Sequence, residues 1–204
     1  MANPTGAFGL RPLRHQNGAP WNGATVPCYV SSAYATALFV GDPVCISPTQ
    51  AEADATARYP TINLSAGTNG VIILGSIVSF DVLKTDLTKQ YNPAETERIA
   101  HVCMDPTVVY EVRGDGGGTP VDYWVWMNAN LIATTSGDTT TGLSGMMVDE
   151  GTTTAPASNQ SYPLVLEGVA NIEGNDLGDN VIWEVSLNTM FNATGLVLGA
   201  SVSS

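Results

Sequence analysis

Short apolar runs whose residues alternate with period two constrain the fold of this chain more than any other feature. The alternation is clearest in two runs, residues 108–113 (VVYEVR) and 181–187 (VIWEVSL). Such a pattern places alternate side chains on opposite faces of a β-strand, so that one face can be buried. Turn residues separate runs of this kind along most of the sequence, which is typical of a β-barrel or a β-sandwich.

We therefore predict an all-β fold, with a β-barrel or a sandwich-like (tulip-like) body and long Thr/Gly-rich loops. Nine strands are predicted, over Thr25–Val30, Pro43–Ser47, Gly70–Asp81, Ile99–Met104, Val108–Arg113, Trp124–Asn128, Leu143–Val148, Pro163–Ala170 and Asn180–Leu187. Helical character is confined to Thr49–Tyr59 and, more weakly, to Asp86–Arg98, which Pro93 interrupts. Stretches rich in Thr, Ser, Gly and Asn predict protruding loops around residues 130–160.

The first 41 residues differ from the remainder in charge. They contain no Asp or Glu, although the chain has 19 acids against 7 Lys and Arg. Arg11, Arg14 and His15 lie in this segment, where prolines break helix and glycines raise the entropy cost of ordering. We therefore predict two parts: an extended N-terminal arm over residues 1–41, and a β-rich body over residues 42–204.

The apolar side chains of the arm need a surface that buries them, since the arm cannot form a core alone. One interpretation is a strap laid across another subunit, and the alternative is a disordered or self-packed N-terminus. A strap would bind by burying apolar side chains and by bonding its arginines to carboxylates or carbonyls. The residues concerned are Phe8, Leu10, Arg11, Leu13, Arg14 and Trp21. Deleting residues 2–24 should then abolish attachment and leave the body folded.

The overall composition narrows the classes of partner. Charged residues make up 13% of the chain, about half the usual share. This fits a protein packed against neighbours, and it equally fits an extracellular β-protein. A net charge of −12 opposes binding to nucleic acid, which needs clustered Lys and Arg. The best apolar run, Val71–Leu74, is too short to cross a membrane, and residues 1–20 hold no apolar signal core, so we expect synthesis in a cytosol.

Groups that carry out catalysis are sparse in this sequence. The two histidines, His15 and His101, lack the spacing of metal ligands, and there is no G-x-S-x-G nucleophile motif. Asp149 and Glu150 are adjacent, so on a strand they would point to opposite faces and could not form an acid/base pair. We predict no catalytic residues, no cofactor, no metal site and no enzymatic activity.

Three polar groupings each allow a second interpretation. Cys28, Cys45 and Cys103 are odd in number and widely spaced, which favours buried free thiols over a disulfide or metal role. Residues 113–115 spell Arg-Gly-Asp, but the glycines that follow favour a flexible turn over a recognition motif. Residues 173–180 gather oxygen ligands without EF-hand spacing, which favours a solvated turn over a calcium site.

Two segments of the sequence resemble tailed-bacteriophage proteins. Residues 1–14 (MANPTGAFGLRPLR), followed by Trp21-Asn-Gly23, resemble the N-terminus of a group usually encoded beside the major capsid protein. The stretch from Tyr34 through Gly41-Asp-Pro-Val44, continued by residues 70–80, resembles phage capsid cement or decoration proteins. In that family a small β-barrel carries a Gly-Asp-x-Val turn. The Thr-rich inserts after Asn130 have no clear counterpart there.

The resemblance implies a structural virion protein rather than an enzyme. Many copies would bind the outer surface of the head, after synthesis in the host cytoplasm, and bridge neighbouring major capsid subunits. The arm would be the capsid-binding segment, and the major capsid protein would be the partner. An acidic body, which DNA repels, is compatible with the outside of the head.

The sequence also allows two alternative functions and predicts an oligomer. One alternative is another virion component, such as a tail, fibre or minor head protein. A less favoured one is a β-fold glycan-binding or glycan-cleaving protein, which would need clustered carboxylates or exposed aromatic residues. Few surface charges and few lysines to guard strand edges predict a homodimer or homotrimer that exchanges arms or tails.

Overall fold

The computed structural model describes residues 3, 5–48, 58–68, 70–132, 136–151 and 154–190. Within these ranges the fold is all-β, as predicted, apart from one short 3-10 helix at Asp122–Trp124. The strands form two five-stranded sheets and one two-stranded sheet. They are β1 (Arg11–His15), β2 (Val26–Val30), β3 (Pro43–Ile46), β4 (Ile62–Leu64), β5 (Gly75–Phe80), β6 (Arg98–Cys103), β7 (Val108–Arg113), β8 (Asn128–Ala129), β9 (Leu131–Ile132), β10 (Met147–Val148), β11 (Leu164–Val169) and β12 (Ile182–Leu187).

The first sheet has the order β1-β7-β12-β11-β8, and all its neighbours are antiparallel. On β12 the predicted alternation is confirmed only in part. Trp183, Val185 and Leu187 lie in the core beneath this sheet, but Ile182 and Ser186 on the opposite face are also buried. On β7 it is half right. Tyr110 lies in that core, but Glu111 on the opposite face is also buried, because Arg11 of β1 covers it.

The second sheet has the order β2-β6-β5-β3-β4 and curls back on itself. Its two ends meet at one parallel bridge between Tyr29 and Thr61, where the Tyr29 amide donates to the carbonyl of Pro60 over 2.9 Å. A second apolar core fills the resulting small barrel, with Val44, Ile77 and Val102 among its members. The barrel form of the prediction therefore describes this sheet.

The outer strands of the first sheet are covered by irregular segments of the same chain. Residues 15–21 turn back on β1, so that the amide of His15 donates to Ala19 over 2.8 Å. On the other side, Asn128 of β8 and Ala157 exchange two backbone hydrogen bonds of 3.0 and 2.9 Å. These bonds occupy edge groups that could otherwise pair with a second chain.

The predicted boundary at residue 41 does not separate an arm from a body. β1 pairs with β7 and β2 pairs with β6, so both elements that precede residue 41 are strands of the two main sheets. The physical reason is that the apolar groups of this segment find their core within the same chain, as Leu10 does. The described part of residues 1–41 is therefore part of the folded body.

Some predicted elements differ from the structure. Asp86–Arg98 contains turns rather than helix, and β6 begins at Arg98. Trp124–Asn128 is not a strand, because Trp126 has a φ of 68°, which extended backbone does not allow. The proposed helix Thr49–Tyr59 falls mostly outside the described residues, as do parts of the predicted loops and the C-terminal tail. β1, β4 and β9 were not predicted.

Candidate functional site

The six residues of the predicted capsid-binding segment divide between core and surface. Leu10 is fully buried in the first core, so its side chain is not available to a second protein. Phe8 is half-buried between the guanidinium groups of Arg11 and Arg113, at 4.6 and 5.7 Å from its ring centre. Trp21 is half-buried against the first core. The other three residues of the set lie on β1 and reach the surface.

The N-terminal segment is fixed to the body where its backbone crosses a second segment at close range, at Gly9 and Gly41. We call this contact the glycine crossing. Gly9 and Gly41 both have left-handed φ angles, of 69° and 94°, and the amide of Leu10 donates to the carbonyl of Gly41 over 2.8 Å. A Cβ atom on Gly9 would lie 2.3 Å from that carbonyl oxygen, and one on Gly41 would lie 2.2 Å from the carbonyl oxygen of Phe8. Only glycine fits at either position without displacing backbone.

The turn at Gly41-Asp42 also ties this crossing to the barrel. Asp42 is 3% exposed, and its carboxylate accepts the amide of Phe39 over 2.7 Å. Its carbonyl accepts the amide of Ile77, while the hydroxyl of Ser76 donates to Leu10 over 2.6 Å. Burial raises the pKa of Asp42 to about 6, against the lowering effect of hydrogen bonds from Ser144 and Phe39. The turn thus joins β5 to the segment that leads into β1.

The two arginines of β1 are bound to carboxylates of their own chain. Arg11 donates through two nitrogens to one oxygen of Glu111, at 3.0 and 2.5 Å. Arg14 donates to Glu184 over 2.6 Å and lies 3.6 Å from Glu167. Glu111 and Glu184 are direct partners in the register of β7 and β12, where like charges repel. The arginines offset this repulsion within the chain, and Arg11 keeps 56% of its side chain exposed while it does so.

The Arg-Gly-Asp tripeptide is held within the fold. Arg113 is 5% exposed and donates to the carbonyls of Gly6 and Asn180 over 2.8 and 3.0 Å. The carboxylate of Asp115 accepts the amides of Gly117 and Glu150, each over 3.0 Å. The tripeptide therefore connects β7 to the loop after β10, rather than forming an independent flexible turn.

Glu150, which the sequence analysis dismissed as one of an adjacent acidic pair, is a buried carboxylate. It is 1% exposed and accepts the indole N–H of Trp183 over 2.8 Å and the amide of Gly116 over 3.0 Å. Burial raises its pKa to about 7, and the nearby Asp115 and Asp179 act in the same direction. The glycines after Arg113 are the sequence feature that could have indicated this close contact, because a Cβ on Gly114 would lie 2.0 Å from Glu150 Oε1.

The histidines and cysteines have contacts of their own. His15 Nδ1 is 3.1 Å from Thr107 Oγ1, and His101 Nε2 is 2.9 Å from Asp81 Oδ1. Cys28 and Cys103 are buried free thiols whose pKa is raised by burial, and Cys45 is a half-buried one. Among the residues that the structure describes, no three His, Cys, Asp or Glu side chains are grouped so that they could hold a metal ion.

No protein-family model matches the chain, and comparisons with curated proteins and with solved structures gave no match either. In the described ranges, no helix has the length and apolar character needed to cross a bilayer.

Proposed function

We propose that this chain is a structural virion protein of a tailed bacteriophage. It is made in the host cytoplasm, binds the outer surface of the head and stabilises the shell by bridging major capsid subunits. The proposal starts from two sequence segments: residues 1–14, which resemble phage proteins usually encoded beside the major capsid protein, and the stretch with the turn at Gly41–Val44, which resembles capsid cement proteins.

The observation that supports it best is the contact between these two segments. They are more than 30 residues apart in sequence, yet Gly9 and Gly41 cross at a distance that excludes any side chain. A resemblance carried by two separate short motifs would be weak if the motifs were unrelated in space. Here both belong to one junction, which sets the position of β1 relative to the barrel.

The exposed side of β1 is the surface that we assign to the capsid. Arg11 keeps 56% of its side chain exposed while it is paired with Glu111, and Leu13 is 37% exposed. A strand held in place by β7 presents these groups without the ordering cost of a free arm. The partner is the major capsid protein, and the acidic character of the chain disfavours the DNA side of the shell.

Heads assembled without this protein provide the test. The purified chain should co-sediment with such heads and raise the temperature at which they disrupt. The variant Leu13→Asp should bind at least about tenfold more weakly, which corresponds to about 1.4 kcal/mol. Leu177→Asp is the matched control, because Leu177 is 43% exposed on the loop between β11 and β12. A wild-type chain that neither co-sediments nor stabilises heads would contradict the proposal.

A further inference from the structure

The most exposed large apolar side chains of the described residues fall into two loops. Val82 and Leu87 are 69% and 78% exposed in the loop between β5 and β6. Tyr123 and Trp126 are 65% and 71% exposed between β7 and β8. Exposed pairs of this size often belong to binding surfaces. We call residues 82–90 the lysine loop and residues 121–127 the aromatic loop.

The lysine loop is held in a fixed shape by Arg98. This buried guanidinium donates to the carbonyls of Asp81, Tyr91 and Lys89 over 2.5, 2.7 and 3.2 Å, so it joins the two ends of the loop. Within the loop, the Asp86 carboxylate accepts both the amide and the hydroxyl of Thr88. A loop that is already ordered loses little conformational entropy when it binds.

The lysine loop also carries a small net positive charge in an acidic protein, because its two lysines outnumber Asp86. It contains both lysines of the chain, Lys84 and Lys89, whereas the net charge is −12. Four of the arginines are engaged within the fold: Arg11 and Arg14 with carboxylates, and Arg98 and Arg113 with carbonyls. Lys89 lies over the Tyr91 ring of its own chain, at 5.4 Å from the ring centre. The loop therefore combines two exposed apolar side chains with one exposed ammonium group, that of Lys84, which suits an acidic or aromatic surface.

The aromatic loop complements the lysine loop, because it presents exposed aromatic rings and an acidic residue. Trp126 has a φ of 68°, an unfavourable conformation for a bulky residue, and its amide donates to Leu166 over 2.6 Å. The neighbouring Trp124 is only 7% exposed and anchors the segment in the first core. The backbone thus holds the Trp126 ring out in solvent, where this chain gives it little burial. Asp122, in the same loop, is exposed and acidic.

We propose that the lysine loop of one copy docks on the aromatic loop of a second copy of this chain. Val82 and Leu87 would pack on Tyr123 and Trp126, while Lys84 would approach Asp122 and the faces of the rings. A second copy is the favoured occupant because the same chain carries both complementary surfaces: exposed aliphatic side chains beside Lys84 on one loop, and exposed aromatic rings with Asp122 on the other.

The two surfaces differ, so the contact is of the head-to-tail kind. Each added copy leaves one lysine loop and one aromatic loop unoccupied at its ends, which leads to a ring or an open chain. Two loops bury a limited area, so the contact is weak between free molecules. The inference concerns the free protein and does not depend on binding to a capsid.

Sedimentation velocity on the purified chain tests this directly, at about 0.15 M salt, which screens the repulsion between acidic chains, and from about 10 µM to about 1 mM protein. The wild-type mass should rise above 21.3 kDa with concentration. Leu87→Asp and Trp126→Asn should each lower the association constant at least tenfold; Asn tolerates the left-handed backbone at position 126. Leu177→Asp, an equally polar change in an exposed loop outside both surfaces, should leave association unchanged.

Mixing the two defective variants distinguishes this contact from a symmetric one. Leu87→Asp retains the aromatic loop and Trp126→Asn retains the lysine loop, so together they should form a complex of two chains and no larger species. Circular dichroism confirms that each variant is folded, and Lys84→Glu provides a second lysine-loop variant. A wild-type chain that stays at 21.3 kDa throughout, or a mixture that does not associate, overturns the proposal, and the surfaces would then be free for another protein.

Discussion

Trp183 donates its indole N–H to Glu150 over 2.8 Å, which places a carboxylate against the centre of the first core. Trp183 is fully buried and Glu150 is 1% exposed, so neither group can exchange its partner for water. The second carboxylate oxygen accepts a hydrogen bond from the amide of Gly116. The bond therefore links β12, the loop after β10 and the glycine-rich segment after β7, and it makes their packing sensitive to the charge on Glu150.

The first prediction is that the free energy of unfolding falls as the pH rises from about 4.5 to about 7. The pKa of Glu150 is raised from 4.5 to about 7 in the folded chain, so the folded state retains a proton that the unfolded state releases. This stabilisation is fully present below 4.5 and is lost above 7. Asp42 acts in the same direction between 3.8 and about 6. Urea unfolding at about pH 5 and about pH 8 measures the difference.

A charge-free variant identifies the group responsible. Glu150→Gln still offers one acceptor to Trp183 and does not titrate, so its stability should differ less between the two pH values than that of the wild type. It should cost about 1 kcal/mol at low pH, because an amide cannot accept both existing bonds. Glu173→Gln, on an exposed loop, should keep the wild-type pH dependence. If the free energy of unfolding of Glu150→Gln changed with pH as much as that of the wild type, a group other than Glu150 would be responsible.

The second prediction concerns the glycine crossing. Gly41→Ala should destabilise the chain by about 2–5 kcal/mol, through the left-handed backbone and the contact of its Cβ with the Phe8 carbonyl. Gly18→Ala is a matched control, because Gly18 also has a positive φ, of 85°, but nothing lies within 4 Å of its Cβ position. It should cost only about 1 kcal/mol. Equal losses in the two variants would show that the crossing itself is not tight. Thermal unfolding gives both values.

The third prediction separates a folded N-terminus from a free strap. Leu10→Ala should cost about 2–5 kcal/mol, because its side chain is completely buried in the first core. Leu13→Ala, at a 37% exposed position on β1, should cost less than about 1 kcal/mol. For the same reason, deleting residues 2–24 should unfold the first sheet rather than leave an intact body. Small and equal effects of the two substitutions would favour a strap, and chemical denaturation compares them.

The sequence predicted the strands whose pattern is set locally. β7 and β12 were found because their alternating runs are bounded by turn residues on both sides. β1 was not found, because its residues, RPLRH, have no strand pattern of their own. They become a strand through pairing with β7, about 100 residues further along the chain.

The candidate site was predicted less well, for a related reason. The arginines of β1 were expected to seek carboxylates on another protein, and the partners Glu111 and Glu184 lie on strands distant in sequence. Glu150 was dismissed as one of an adjacent acidic pair, since nothing local shows that it lies under Trp183. Partner choice and burial depend on the tertiary fold, and period-two patterning does not specify them.

The last prediction concerns the charges on the first sheet. Arg14 lies 2.6 Å from Glu184, which is the direct register partner of Glu111. Arg14→Gln should therefore destabilise the chain by about 1–3 kcal/mol, because opposed carboxylates lose a compensating charge. The double variant Arg14→Gln/Glu184→Gln should regain part of this loss, with a coupling energy of about 0.5–3 kcal/mol. Asp81→Asn, which breaks an exposed pair with His101, should change stability by less than about 0.5 kcal/mol. A double variant no more stable than Arg14→Gln alone, measured by urea unfolding, would contradict this role of Arg14.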